Sequence, residues 1–393
     1  MIVLCAAFHN SSANSLLGLA AEWTARGGAD PTYLAFGPAI ETFKAAGVSA
    51  VELSADELNE AWLLDCLRRV EPAVVVIGTS KSNDGTPPIE QLITAAAARV
   101  SVPVVSLLDY IGSPQHPRYV TDGKYFLPEV IIAPDSWSKA RLAEEEGLQH
   151  VRVEVLGNPQ YDPLADLRRE WNVERTRETR RRLTDADAIV DAYLVQFVGC
   201  VRADRIAAGC QSWDLDYVDA LGTALAAIAP RLRKAIGVVA RPHPRESQTA
   251  PENWRQVLER AASLGMTVYS GATLDAYETS LACDLTVISR SNFATQNMFL
   301  GVRSLSIQLD DPALDDMGLS QMGAIPVASS RDVAIEMVTS AVLDPGFWTP
   351  FDARQDRLRT ENDGRSATRI AQFIREVGAG FCAGIRPTAP AVS

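Results

Sequence analysis

Short, fully apolar segments alternate with amphipathic helical segments twice along this chain. Runs such as IVLCAA (2–7) and AVVVIG (73–78) are apolar throughout, so the sheet that they form must be covered on both faces. Helical patterns of about 10–15 residues separate these runs, which is typical of βαβ units. Because such crossovers are right-handed, the alternation predicts open, doubly wound parallel sheets.

The alternation occurs in two series, which are interrupted between residues 157 and 190. In the first series the pattern predicts strands over 2–7, 32–36, 49–53, 73–78, 103–108 and 130–133. Helices are predicted over 14–27, 38–47, 55–70, 87–99 and 136–147. In the second series strands are predicted over 192–198, 236–240, 267–270, 284–289 and 303–308. Helices follow over 214–230, 252–264, 273–282, 292–300, 330–342 and 364–377.

A chain of 393 residues with this pattern fits two domains. The interruption contains an arginine-rich helical run, which is interpreted as the solvated face of a linker helix. The C-terminal residues are rich in Gly, Pro and Ala and are expected to be loose. The predicted organisation is an N-terminal domain over 1–160, a linker helix over 161–190, a C-terminal domain over 191–362, a helix over 363–377 that returns to the N-terminal domain, and a tail over 378–393.

Composition excludes several classes of protein. A net charge of −12 argues against nucleic acids and anionic membranes as partners, since both attract clustered Lys and Arg. No apolar stretch approaches the roughly 20 residues of a membrane helix, and no signal-peptide pattern opens the chain. The six cysteines include no CxxC pair and are expected to be reduced thiols. The sequence therefore predicts a cytoplasmic protein without integral membrane association.

Polar and charged side chains stand where the predicted strands end. In doubly wound sheets, ligands bind beyond the carboxyl ends of the strands. In the first series these exits carry His9 to Ser12, Thr79-Ser80 and Asp109. In the second series they carry Arg241 to Glu246 and Ser289 to Asn292. We therefore expect functional residues among these positions.

Two residues of the first series are candidates for a general base. The imidazole of His9, which follows the first strand, can take a proton from a hydroxyl nucleophile at neutral pH. Asp109 is the alternative, since it places a carboxylate at the end of another strand. A polar surface residue near a helix start is the non-catalytic interpretation of His9.

Two turns of the second series indicate an anion site. Pro242 and Pro244 restrict the backbone on either side of His243, so the turn presents His243 and Arg241 rigidly. The second turn offers hydroxyl donors and the free N–H groups of a helix start, which favour phosphate. Its candidate residues are Ser289, Ser291 and Asn292. Plain helix capping by Ser291 or Asn292 is the alternative interpretation.

The sequence lacks the motifs that are typical of several other kinds of site. There is no GxGxxG motif after the first strand and no GxxxxGK[ST] loop. Metal-ligand spacing and a GxSxG elbow are absent too. Neither a metal nor a separate cofactor is therefore predicted.

The order of these motifs resembles the GT-B superfamily, which includes nucleotide-sugar glycosyltransferases and the non-hydrolysing UDP-N-acetylglucosamine 2-epimerases. Residues 133–137 followed by 155–159 (Val-Leu-Gly-Asn-Pro) resemble the passage that closes the first domain in that superfamily. Arg241-Pro242-His243-Pro244 resembles the His-Pro motif of bacterial sialyl- and Kdo-transferases. Residues 289–301 resemble the Ser-rich turn and helix that hold the donor phosphate.

The sequence departs from the superfamily at two places. Gln296 or Thr295 stands where many members have a glutamate that binds the donor ribose. The first turn lacks both the Gly-rich loop of many transferases and the Arg-Pro-Glu of the epimerases. The second departure favours a transferase over an epimerase.

The resemblance implies an α/β protein of GT-B type, with two Rossmann-like doubly wound domains that face each other across a cleft. It implies a metal-independent glycosyltransferase that moves a sugar from a nucleotide sugar to a small-molecule or glycan acceptor. The N-terminal domain would bind the acceptor and supply the base, and the C-terminal domain would bind the donor. A 2-epimerase or hydrolase of the same fold and a non-catalytic nucleotide-sugar-binding protein are the alternatives, and a homodimer is left open.

Overall fold

The structure of the chain is a computed structural model that divides into two compact units. The first unit comprises Met1–Ala165 and Thr360–Ser393, and the second comprises Asp166–Arg359. The residues that the structure describes are 1–25, 31–80, 87–111, 119–121, 124–184, 190–199, 213–242, 251–271, 274–289, 291–309 and 318–382.

The first unit is built on a seven-stranded sheet in which all neighbouring strands are parallel. The strand order is β3-β2-β1-β4-β5-β8-β9. The strands are β1 (Val3–Ala7), β2 (Thr32–Ala35), β3 (Val51–Glu52), β4 (Val74–Ile77), β5 (Val104–Leu107), β8 (Val130–Ala133) and β9 (Arg152–Val155). Strands β6 (Tyr119–Thr121) and β7 (Lys124–Phe126) form a separate antiparallel pair.

Helices connect these strands, and a C-terminal helix completes the unit. Their bounds are Asn10–Ala25, Ala39–Ala45, Glu60–Val70, Ile89–Val100, Ser136–Glu144, Asp162–Glu170 (which runs on into the second unit) and Ser366–Cys382, with a 3-10 turn at Pro159–Tyr161. The strand order reverses direction between β1 and β4, so the exits of these two strands flank the switch point of the sheet.

The apolar strands of the first unit bury both of their faces, as their composition requires. Alternate residues of a strand point to opposite faces, so Cys5 and Leu4 of β1 enter different core clusters. Helix Ser366–Cys382 covers the face on Cys5's side with Ile370 and Ile374, both fully buried. The end of the chain therefore belongs to the core of the first unit.

Residues 157–159, the Gly-Asn-Pro passage, tie the end of β9 to this C-terminal helix. Gly157 has φ +85°, a left-handed conformation, and a Cβ there would collide with Ser366. The backbone N–H of Asn158 donates to Asn362 Oδ1 at 2.8 Å. Its side-chain amide donates to the carbonyls of Leu108 and Asp109 at 2.9 Å each. The passage thus fixes the backbone just beyond β5.

The second unit is built on a six-stranded, fully parallel sheet. Its order is β12-β11-β10-β13-β14-β15, and its switch point lies between β10 and β13. The strands are β10 (Tyr193–Val198), β11 (Ile236–Arg241), β12 (Thr267–Ser270), β13 (Leu285–Ile288), β14 (Ser304–Ile307) and β15 (Val327–Ala328). The helices that follow Asp162–Glu170 are Val173–Thr184, Trp213–Ile228, Pro251–Ser263, Ala276–Ala282, Phe293–Leu300, Gly318–Gln321, Arg331–Leu343 and Thr349–Glu361.

The arginine-rich segment differs from the predicted solvated linker helix. It forms two helices, Asp162–Glu170 and Val173–Thr184, and the second packs in the second unit. Arg180 is only 8% exposed and donates to Asp284 Oδ2 at 2.9 Å and to the carbonyl of Ala282 at 2.7 Å. Its charge is therefore paired inside the unit, a role that a charge run in sequence does not reveal.

Other boundaries also differ from those predicted. Helix Ser366–Cys382 continues five residues beyond 377 into the expected loose tail. The sequence pattern did not predict strand β9 or helix Thr349–Glu361, because charged residues interrupt the regular spacing of their apolar residues. No helix within the described ranges is long and apolar enough to cross a membrane.

Candidate functional site

The predicted strand-exit residues of the first unit meet around the carboxylate of Asp109. Ser11 Oγ donates to Asp109 Oδ2 at 2.8 Å, and Ser12 Oγ donates to the same oxygen at 3.0 Å. The backbone N–H of Thr79 donates to Oδ1 at 2.9 Å. Asp109 is 0% exposed, so each of its oxygens is held by protein donors rather than by water.

The close approach of β1, β4 and β5 at this point depends on Gly78. A Cβ on Gly78 would overlap Ser12 and would lie 2.7 Å from Asp109 Oδ1. Ser106 Oγ donates to the Gly78 carbonyl at 3.2 Å, which ties the exit of β4 to β5. Only a residue without a side chain allows the three exits to share one hydrogen-bond cluster.

A second buried carboxyl group, Glu90, joins the cluster from the start of helix Ile89–Val100. Glu90 is 0% exposed, and its Oε1 accepts from the backbone N–H of Phe8 at 3.0 Å. Ser80 Oγ lies 2.6 Å from the same oxygen. Glu90 Oε2 is buried and accepts no hydrogen bond from the described residues.

Burial shifts the acidity of both carboxyl groups in the same direction. Loss of hydration raises the pKa of Glu90 to about 7, and the nearby Asp109 adds to the rise. Burial also raises the pKa of Asp109, to about 6, while its donors from Thr79, Ser11 and Ser12 oppose the shift. Burial thus favours the protonated form of both carboxyl groups.

His9 lies at the rim of this cluster. Its backbone N–H donates to Ser80 Oγ at 3.3 Å, and its ring packs against Phe8 with the centroids 4.5 Å apart. The side chain is half-buried. Of the two predicted bases, His9 is therefore the more exposed, whereas Asp109 is enclosed and has the partly exposed Ser11 as one of its hydrogen-bond donors.

Four of the six predicted donor residues of the second unit line a cavity of about 310 Å³. It lies beyond β10, β11 and β13, at the switch point of the sheet, where ligands of doubly wound sheets bind. Its lining includes four predicted residues and five others: Arg241, Ser291, Asn292 and Gln296, with Val198, Pro242, Ala276, Tyr277 and Phe293.

Arg241 lies in the wall of this cavity and is fixed there by two hydrogen bonds. Its Nη1 donates to the carbonyls of Gly271 and Leu274, at 2.6 and 2.9 Å. Desolvation lowers the pKa of Arg241, and Asp275 opposes that shift. Because a guanidinium has five N–H donors, two fixed bonds through one nitrogen leave others that can point to an anion.

The helix start beside Arg241 differs from the predicted set of free N–H groups, because its N–H groups are bonded within the protein. Ser291 Oγ accepts from the backbone N–H of Phe293 at 3.2 Å, and the N–H groups of Ala294 and Thr295 donate to the carbonyls of Ser291 and Asn292 at 3.0 Å each. The side chain of Asn292 makes no capping bond. Gln296 hydrogen-bonds the Tyr277 hydroxyl at the wall of the cavity.

Two predicted donor residues are not in the described wall. Ser289 is 4% exposed at the end of β13, where its carbonyl accepts from Ser306 Oγ at 3.1 Å. His243 lies outside the described residues.

Sequence reasoning missed three residues that the fold brings to these sites. Tyr277 and Phe293 line the cavity, but aromatic residues on short helices look like ordinary core. Glu90 looks like a routine acidic residue in a first helical turn. Within the described ranges, no group of three His, Cys, Asp or Glu side chains could hold a metal ion.

The chain resembles known proteins in three-dimensional structure. No protein-family model matches the chain, and no curated protein matches its sequence. The UDP-GlcNAc 2-epimerase from Neisseria meningitidis bound to UDP-GlcNAc superposes with a TM-score of 0.62 at 13% identity, over 96% of this chain and 100% of the other.

Two further solved structures have similar scores. MurG from Acinetobacter baumannii gives a TM-score of 0.55 at 11% identity, over 95% of this chain and 99% of the other. The wall teichoic acid polymerase TagF gives 0.56 at 12% identity, over 97% and 90%. These likenesses, together with the two doubly wound sheets, confirm the predicted fold class: the chain has the GT-B fold, with two Rossmann-like domains.

Proposed function

We propose that this protein is a glycosyltransferase that binds a nucleoside diphosphate sugar in the second unit and transfers the sugar to a hydroxyl acceptor. The observation that carries the proposal is the cavity in which Arg241, Ser291, Asn292 and Gln296 meet at the switch point of a parallel sheet. Its volume of about 310 Å³ suits part of a nucleotide sugar, since small-molecule sites occupy ~300–1,000 Å³.

The chemistry of the cavity supports a phosphorylated ligand with a flat ring. Arg241 supplies a positive charge, and the start of helix Phe293–Leu300 supplies a favourable dipole. Tyr277 and Phe293 supply aromatic surface next to these polar groups. In the proposed reaction, Arg241 and the helix start stabilise the negative charge that develops on the departing diphosphate.

In the proposed reaction, the first unit supplies the proton acceptor. His9 takes the proton from the acceptor hydroxyl as that oxygen attacks the sugar's anomeric carbon and the bond to the phosphate breaks. The hydrogen-bond cluster around Asp109 holds the β1 exit, on which His9 stands, in a fixed position. Asp109, reached through Ser11, is the second candidate for the base.

Product analysis tests the proposal. The purified protein would be incubated with UDP, GDP, dTDP, CDP and CMP sugars, with and without a set of hydroxyl acceptors. Release of free nucleotide that requires an acceptor, together with a glycosylated product, is the expected result. Binding of a nucleotide sugar without turnover under any condition would instead indicate a non-catalytic binding protein.

A 2-epimerase is the second candidate function, because the first unit holds two carboxyl groups, Glu90 and Asp109, that are connected through the hydroxyls of Ser80 and Ser12. Inverting a carbon that carries a hydrogen requires one group to remove a proton and another to return it. A UDP-GlcNAc 2-epimerase is among the proteins with this fold. Conversion of UDP-GlcNAc without any acceptor, with deuterium incorporated from D2O, would favour this candidate over the transferase.

A further inference from the structure

Glu90 and Asp109 are connected by two hydroxyl groups in the first unit. Glu90 Oε1 lies 2.6 Å from Ser80 Oγ, which lies 3.0 Å from Ser12 Oγ. Ser12 Oγ lies 3.0 Å from Asp109 Oδ2. None of the four side chains is more than 3% exposed, so water cannot complete their hydrogen bonds.

The number of protons in this chain of contacts depends on the charge of the carboxyl groups. Three oxygen–oxygen contacts need three protons, and the hydroxyls of Ser80 and Ser12 supply two. If Glu90 and Asp109 were both ionised, one contact of 2.6–3.1 Å would join two oxygens with no hydrogen between them. Such a contact gains no hydrogen bond in a site closed to water, and one additional proton would complete all three bonds.

We propose that Glu90 and Asp109 hold a single proton between them, which the hydroxyls of Ser80 and Ser12 pass from one carboxyl group to the other. Two arrangements satisfy all three contacts. In one, Glu90 donates to Ser80, Ser80 to Ser12, and Ser12 to an ionised Asp109. In the other, every donor–acceptor direction is reversed. Conversion breaks one O–H bond and forms another at each contact, so three protons each move across one contact and the net transfer between the carboxyl groups is one proton.

The surroundings of the two carboxyl groups favour the arrangement with the proton on Glu90. Asp109 accepts additional hydrogen bonds from Ser11 and from the backbone N–H of Thr79, which stabilise its ionised form. Glu90 accepts one additional bond, from the backbone N–H of Phe8, and its Oε2 accepts none from the described residues. Glu90 therefore keeps Asp109 ionised, which makes it a positioning residue for Asp109.

Other titratable groups face this cluster as well. They are His9, whose backbone binds Ser80, and, on the side of Asp109, Tyr110 and Tyr161. The shared proton itself does not depend on the proposed function. The consequence for catalysis rests on the proposed function. A ligand bound at Ser11 would contact an ionised Asp109 that can accept a proton, while Glu90 holds the shared proton.

Infrared spectroscopy of the protein without substrate tests the shared proton, because a protonated carboxyl group and a carboxylate absorb separately. At a pH between 6 and 7 we expect a protonated-carboxyl band in the wild type that Glu90→Gln removes. The amide keeps an acceptor for Phe8, so a purely structural role would survive the change. Identical carboxyl bands in the wild type and in Glu90→Gln would overturn the proposal.

Two further variants keep the test decisive. Ser80→Ala removes the first hydroxyl of the chain and leaves both carboxyl groups, so the band should shift as the Glu90 proton loses its acceptor. A protonated-carboxyl band at the same frequency in Ser80→Ala and in the wild type would also overturn the proposal. Glu129→Gln is the matched control, since Glu129 is a half-buried carboxyl group of the same unit that accepts from the backbone N–H of Val104 and accepts no hydrogen bond from a hydroxyl of the described residues. It should leave the Glu90 band in place.

The role of Glu90 toward Asp109 is tested in turnover assays. In Glu90→Gln the pH at which activity falls on the acid side should move, while the Michaelis constant for the nucleotide sugar stays within about twofold. Absence of turnover with every nucleotide sugar would reject the proposed function, whereas the infrared result would still decide whether the proton is shared.

Discussion

The rings of Tyr277 and Phe293 stack in the second unit, with their centroids 6.1 Å apart and their planes inclined by 15°. Both rings line the cavity that contains Arg241. They reach it from two helices, Ala276–Ala282 and Phe293–Leu300. The cavity therefore has a rigid aromatic wall close to a cationic group, an arrangement that suits a ligand with a flat ring and a phosphate.

Removal of the Tyr277 ring should weaken nucleotide binding. Aromatic pairs contribute roughly 0.5–1.5 kcal/mol beyond the area that they bury, so Tyr277→Ala should raise the Kd by up to about tenfold. Tyr277→Phe keeps the ring and loses only the hydroxyl that binds Gln296, and it should bind within about threefold of the wild type. Calorimetric titration measures both. Equal Kd values for the alanine variant and the wild type would place the nucleotide elsewhere.

Replacing Arg241 should weaken binding through both charge and shape. Lysine keeps the charge but cannot hold the carbonyls of Gly271 and Leu274 and reach a phosphate as well. Hydrogen bonds to charged groups contribute roughly 1.5–3 kcal/mol, so Arg241→Lys should raise the Kd by more than tenfold. Arg255, on the exposed surface of helix Pro251–Ser263, is the control for a lost guanidinium. Similar effects of Arg255→Lys and Arg241→Lys on the Kd would contradict a specific role.

His9→Ala should reduce turnover and leave nucleotide binding intact. Loss of a general base costs about 10²–10⁴-fold in rate. His150, an exposed histidine of the same unit, provides the control His150→Ala, which should retain full activity. Asp109→Asn in the same assay separates the two candidate bases. Normal turnover in His9→Ala with loss in Asp109→Asn would assign the proton transfer to Asp109 through Ser11.

Stability should fall as the pH rises from about 4 to about 7. Burial raises the folded-state pKa of Glu90 to about 7 and of Asp109 and Asp135 to about 6. In the unfolded chain these groups titrate near 4, so across this window the folded state binds more protons than the unfolded state. The stabilisation is complete below pH 4 and is lost as the pH passes the folded-state values, at about 1.4 kcal/mol per pKa unit.

The variant Glu90→Gln measures how much Glu90 contributes to the pH dependence of the unfolding free energy. Urea unfolding at pH 5 and at pH 8 should show a smaller difference in unfolding free energy for the variant than for the wild type. A pH dependence that runs parallel in the two proteins would show that Glu90 ionises as it does in the unfolded chain.

Gly78→Ala should damage the first unit although it adds only one methyl group. The new Cβ would overlap Ser12 and would lie 2.7 Å from Asp109 Oδ1. Overpacking of this kind costs about 1–3 kcal/mol, and here it also spreads the strand exits that hold His9. Gly380→Ala, in the C-terminal helix, is the control, because its Cβ meets no atom within 4 Å. Chemical unfolding of both variants should show a loss for Gly78→Ala alone.

Much of the architecture could be predicted because it depends on local pattern. Segments such as 2–7 and 73–78, apolar at every position, can only be strands covered on both faces, and the helices between them force parallel order. The same rule placed Ser11, Ser12 and Asp109 at strand ends, and the structure brings them within hydrogen-bond distance. It also placed Arg241 and Ser291 beside one cavity.

Contacts between residues far apart in the chain could not be predicted in this way. Glu90 lies at the start of a helix, like many acidic residues, and only the packing of that helix against β1 brings its carboxyl group to Phe8. Arg180 looked solvated in a charge run, yet the fold turns it toward Asp284, 104 residues further along the chain.

The sequence by itself determined two parallel sheets and the edge of each sheet at which polar groups gather, because strand composition and connection length are local properties. The tertiary structure alone decided which of those groups are buried, and burial controls their charge. Asp109 was predicted as a candidate base at a strand end, and the fold encloses it and joins it to Glu90 through Ser80 and Ser12. Desolvation depends on every element packed around a group, which no stretch of sequence near Asp109 specifies.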